Sequence, residues 1–111
     1  MHPQDELSAQ RADLLAQAQQ LRADLAGIMA ASAGANADDE HDPEGATIAF
    51  ERAQTAVLLD RTEHRIAELN RALDRLAAGT YGTCLVCGRP VGADRLAARP
   101  DATTCIACAT R

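Results

Sequence analysis

Four cysteines in the pattern C-x2-C-x17-C-x2-C constrain this chain more than anything else in it: Cys84 and Cys87, then Cys105 and Cys108, with none left over. Two residues between thiolates let both sulfurs of a pair reach one ion. Two such pairs complete the tetrahedral four-sulfur set that Zn2+ prefers in closed structural sites. Gly88 follows the first pair directly, where a tight turn beneath a metal is needed. Two disulfides are the rival arrangement. No signal peptide is recognisable, which predicts a reducing cytoplasmic setting, where paired thiols are more often metal ligands than cystines. A redox dithiol needs only one C-x-x-C. The spacing therefore predicts one structural Zn2+ held by Cys84, Cys87, Cys105 and Cys108.

The remainder must fold with few large side chains. Phe50 and Tyr81 are the only aromatic residues, and the apolar content is mostly Ala and Leu, which favours helix over a broad sheet core. A core this thin needs a staple, and the metal can supply it. No apolar run approaches the ~20 residues that span a bilayer, so no membrane segment is expected.

Two helices are expected ahead of the cysteines. Over 5–33, Leu7, Leu14, Leu21 and Ile28 recur every seven residues, with Ala18 and Leu25 between them and Arg11 and Ser32 as polar exceptions. Over 43–78 a second stripe runs Ile48, Thr55, Leu59, Thr62, Ile66, Leu69, Leu73 and Leu76. Asp42 suits the N-cap, Pro43 the first helical position and Glu44 the positive helix end, while Gly79 marks the stop. Similar lengths and a short polar connection predict an antiparallel hairpin within one monomer, with a self-dimer as the rival. The fold class expected is mainly α: a coiled-coil hairpin over 1–78, then a four-cysteine finger over 79–111. Leu14, Leu21, Leu69 and Leu73 are expected to be buried in the seam. The end of the hairpin near Gly79 should be firmer than the loop end, where Ser32, Thr55 and Thr62 interrupt the stripe.

The loop end, 35–46, concentrates charge. Asp38, Asp39, Glu40, Asp42 and Glu44 fall within seven residues. Each alone is best explained as part of a solvated turn. Together they repel one another, and such a cluster suits a cation or a basic surface. The spacing is not that of an EF-hand loop.

The finger carries a resemblance. Tyr81-Gly82-x-Cys84-x-x-Cys87-Gly88, with Arg95-Leu96-x-Ala98-Arg99-Pro100 ahead of Cys105-x-x-Cys108, resembles the DksA/TraR zinc fingers. With the hairpin, the resemblance covers about residues 5–110. It implies a bacterial regulator that binds RNA polymerase, inserts its coiled-coil tip through the secondary channel toward the active site, and does not bind DNA. It places Asp39, Asp42, Glu44 and Ala46 at the polymerase-contacting tip, and Arg95 and Arg99 at possible docking positions. The family's tip motif is Asp-x-x-Asp-x-Ala. Aligned from the first cysteine, this chain has His41-x-x-Glu44-x-Ala46, and Asp39-x-x-Asp42 recovers both acids in another register. The family's best-known member also cooperates with guanosine tetraphosphate. Arg99 matches one basic position used there, but Glu68 and Ala109 stand where two lysines would be. An acid facing a polyphosphate is repulsive, which argues against strong dependence on that nucleotide.

Charge and motif content bear on the other classes. Residues 1–78 hold seven arginines against fourteen acids, the finger holds Arg89, Arg95, Arg99 and Arg111 against Asp94 and Asp101, and there is no lysine. Phosphate-backbone binding needs more clustered cations than this. A site closed by four cysteines leaves no coordination position for water or substrate, so no enzyme activity is expected. The alternative to a polymerase regulator is a zinc-stabilised helical adaptor for a different protein.

Overall fold

The computed structural model describes residues 2–34 and 43–110. Two long helices dominate, α1 (Pro3–Gly34) and α2 (Pro43–Ala78), followed by α3 (Ala93–Ala98) and the single turn α4 (Ile106–Ala109). The one β pairing among the described residues is an isolated bridge between Thr83 and Pro90. The heptad reading thus located both long helices, and α2 has the bounds expected of it. Cross-helix contacts fix their sense. Arg11 donates from Nη1 to Asn70 Oδ1 at 3.1 Å, and Arg22 pairs with Glu63 at 3.0 Å. Advancing along α1 means retreating along α2, so the two are antiparallel.

The chain forms two compact units, one built from the stretch up to Asp13 together with that from Ile66 onward, the other from Leu14–Arg65. The first unit holds the largest fully buried side chains among the described residues, Leu7 and Leu69, with Ala72 also buried. In the second unit Ala18 is fully buried, and Leu14, Leu21, Leu25, Ile28, Ile48, Thr55, Leu59 and Thr62 are half-buried. Burial was expected of Leu14, Leu21, Leu69 and Leu73; Leu69 is buried, whereas Leu14, Leu21 and Leu73 are half-buried. Two helices side by side cover a seam residue from one direction and leave its flanks open to water, so half-burial is the ordinary outcome for a seam leucine. The contrast in buried side chains agrees with a firmer end near Gly79. Thr62, an interruption in the α2 stripe, satisfies its hydroxyl by donating to Leu58 O at 2.8 Å.

The exit from α2 sets the start of the finger. Gly79 adopts φ 80°. Its N–H donates to Leu76 O at 3.2 Å, and the Thr80 N–H donates to Arg75 O at 2.9 Å. This paired closure of the last carbonyls is a Schellman ending, which needs the left-handed residue that glycine supplies. Tyr81 follows and donates from its hydroxyl to Pro100 O at 2.6 Å, tying the beginning of the finger to its middle. Burial first, then the Glu6 carboxylate, raise the Tyr81 pKa, with Arg75 opposing. The start of α1, the end of α2 and the finger therefore meet around this ring.

Candidate metal centre

Each cysteine pair is presented by a short turn. In the first, the Gly88 N–H donates to Cys84 O at 3.0 Å and the Cys84 N–H to Arg89 O at 2.8 Å. Gly88 takes φ 75°, a left-handed backbone that glycine adopts without the strain another residue would carry. In the second, Cys105 leads into α4, and its carbonyl accepts from the Cys108 and Ala109 N–H groups at 3.1 and 2.9 Å. The Leu85 N–H donates to Thr103 O at 2.9 Å, which joins the two turns. Arg95 in α3 secures the second from behind, donating from Nε to Thr104 O at 2.7 Å. Cys84, Val91 and Ala102 form a small buried cluster, with Leu96, Cys105 and Cys108 packed against it.

The four sulfurs all lie within 4.8 Å of one another. Zn–S bonds of ~2.3 Å in a tetrahedron place sulfurs about 3.8 Å apart, and the Cys87 and Cys105 sulfurs are 3.7 Å apart. The donor set therefore fits Zn2+ in number, chemistry and spacing. The environment also prepares the thiolates. Cys84 is held down to about 6, chiefly by backbone N–H groups of Cys87 and then Cys105, with burial opposing. Cys105 is lowered as well, first by the Cys108 N–H. Cys108 is pushed up to about 12 because its thiol bonds to Cys105, with burial adding to the effect. Without metal, the cluster thus retains protons that an arriving cation must displace.

Arg95 and Arg99 do come together. With Glu68, Arg71, Arg75 and Asp101 they line a pocket of about 250 Å3. Arg71 and Arg75 were not singled out from the sequence, although their spacing of four residues puts them on one face of α2. Arg75 Nη2 is buried and has no hydrogen-bond partner. Of the tip residues, Asp39 and Asp42 lie outside the described residues, Glu44 falls in the first turn of α2, and Ala46 is exposed on α2.

Residues 79–111 match the family model of the prokaryotic dksA/traR C4-type zinc finger. The solved structure of transcription factor DksA2 from Pseudomonas aeruginosa superposes with a TM-score of 0.83 at 30% identity, covering 98% of this chain and 78% of that one. The chain belongs to the DksA/TraR family. Its finger is accordingly a C4-type zinc finger with one structural Zn2+ on four cysteines. Among curated relatives, the RNA polymerase-binding transcription factor DksA of Caulobacter vibrioides is 46% identical over 44 residues, 40% of this chain and 31% of that protein. The uncharacterised protein YteA of Bacillus subtilis is 37% identical over 70 residues, 62% of this chain and 29% of that protein. The matched stretches thus span under a third of these two curated relatives. No helix among the described residues is long and apolar enough to cross a membrane.

Proposed function

We propose that this protein is a non-enzymatic transcription regulator that binds bacterial RNA polymerase. It enters through the secondary channel with its coiled-coil tip toward the active site and makes no direct contact with DNA bases. The observation that carries the reading is the likeness to DksA2 over 98% of this chain. In this reading the hairpin over 1–78 and the finger over 79–111 divide the work. Asp39, Asp42, Glu44 and Ala46 act at the tip. Arg95 and Arg99 serve docking. The protein works in the cytoplasm as a monomer.

Zinc has a structural role here, since four thiolates leave no open position at the ion. The arginine-lined pocket bears on the nucleotide. Four arginines, Arg71, Arg75, Arg95 and Arg99, line it with Glu68 and Asp101, so its lining carries an excess of positive charge. The reading that guanosine tetraphosphate is not strongly required rests on Glu68 and Ala109 standing where the family resemblance implies lysines.

The test is capture by purified bacterial RNA polymerase, followed by competition with a second protein that occupies the secondary channel. Competed binding supports the proposal. Binding that persists unchanged places the site elsewhere on polymerase. Absence of binding sinks it and leaves the adaptor reading.

A further inference from the structure

The finger carries apolar surface that its fold does not require. In a C-x-x-C turn the ion and the backbone hydrogen bonds hold the geometry, so the two intervening residues are free to be polar. Here three of the four intervening residues are large aliphatics: Leu85, Val86 and Ile106. They are 65%, 66% and 64% exposed. All three adjoin ligand cysteines whose sulfurs lie within 4.8 Å of one another, so they border one centre. Their backbone is held in place by the Leu85 N–H to Thr103 O bond and by the Cys105 carbonyl that caps α4. Apolar groups held ready in this way lose little freedom on binding.

We propose that Leu85, Val86 and Ile106 form an apolar anchor by which the finger docks on a protein surface. Resting on the reading above, that surface belongs to RNA polymerase. Size argues against a second copy of this chain. Three side chains about two-thirds exposed offer on the order of 300 Å2. Self-pairing would bury roughly 600 Å2 in total, about half of what a stable specific interface needs. The anchor therefore belongs within a larger contact on a larger partner. Charge narrows the partner further. Across 83–92 and 102–110 the only charged residue is Arg89, so the chain flanking the anchor carries one cation and no acid. It fits an apolar depression bordered by carboxylates. A single cation is too few for a nucleic-acid backbone, and the net charge of -5 opposes an anionic membrane.

The test uses the full zinc-loaded chain and a combined Leu85→Ser, Val86→Ser, Ile106→Ser variant. Zinc stoichiometry and helix content are first checked to match the parent. A single Leu85→Ala variant serves if the combined one misfolds. Affinity for purified RNA polymerase is expected to fall at least tenfold in the combined variant and severalfold in the single one. Parent-like affinity in a folded, zinc-loaded variant overturns the anchor while leaving the polymerase reading intact. A parent that does not bind polymerase overturns both. Two parallel measurements with the parent decide the other occupants. Cosedimentation with phosphatidylglycerol vesicles that is lost with the three aliphatics, or a stable dimer lost with them, would replace polymerase by a membrane or a second copy.

Discussion

Truncating Leu69 to Ala tests whether the hairpin is held mainly from the end near the finger. Leu69 is 0% exposed, so the substitution removes three carbons from a fully dry position. At ~0.8 kcal/mol per buried carbon group, the transfer loss is about 2.4 kcal/mol. A cavity contribution adds to this, because the surroundings relax only in part. Buried Leu→Ala changes usually total ~2–5 kcal/mol. Ala72, one turn further along α2, is also fully buried and too small to swing into the gap, so we expect a total near 3 kcal/mol. Leu14→Ala provides the internal control. It sits on the same kind of heptad position but is only half-buried, and about half the transfer loss, ~1.2 kcal/mol, is expected with little cavity. Urea unfolding of the zinc-loaded protein, followed by circular dichroism, measures both. Because the chain has two compact units, Tyr81 fluorescence should be recorded alongside, as it reports the unit containing the finger. Equal losses for Leu69→Ala and Leu14→Ala would refute the reasoning. They would mean that the difference in burial between Leu69 and Leu14 carries no difference in stability.

Four further outcomes are expected. Cys105→Ser should leave less than one zinc per chain by elemental analysis and loosen the unit containing the finger, since zinc contributes ~10–16 kcal/mol in small modules of this kind. Zinc affinity, measured by chelator competition, should rise at least tenfold per pH unit between pH 7 and 8. Cys84, held down to about 6, is already a thiolate there, whereas Cys108, pushed up to about 12, must release a proton to bind; pH-independent affinity would contradict this. Gly79→Ala should cost about 1–2 kcal/mol in thermal unfolding, because φ 80° suits glycine and strains alanine. Asp42→Asn, which removes a charge and keeps a residue type suited to an N-cap, should retain polymerase binding and reduce the effect on open-complex lifetime.

Much of this molecule was legible from local pattern alone. The four-cysteine spacing identified the metal site because both members of each pair lie within one turn of chain, and the sequence itself states that distance. Both ends of α2 were readable for the same reason, as Pro43 opens it and Gly79 with Thr80 closes its last carbonyls. The stripe of apolar residues likewise implied a partner helix. The tip motif was harder to place, because acids spaced closely in a loop match the family pattern in two registers.

Residues distant in the chain were decided otherwise. Nothing in the heptad pattern separates Leu69 from Leu14, Leu21 or Leu73, yet Leu69 alone among them is sealed from water. Burial depends on how much chain covers a position, and that chain arrives from elsewhere in the sequence. The same holds for the pocket that collects Glu68, Arg71 and Arg75 from α2 with Arg95, Arg99 and Asp101 from the finger. Sequence by itself determined the metal ligands and the two long helices, because each rests on short-range spacing or periodicity, and it favoured their antiparallel pairing through the short connection. Only tertiary structure decided which seam leucines are dry, which arginines share a pocket and which aliphatics around the metal remain in water, because each depends on segments brought together by folding.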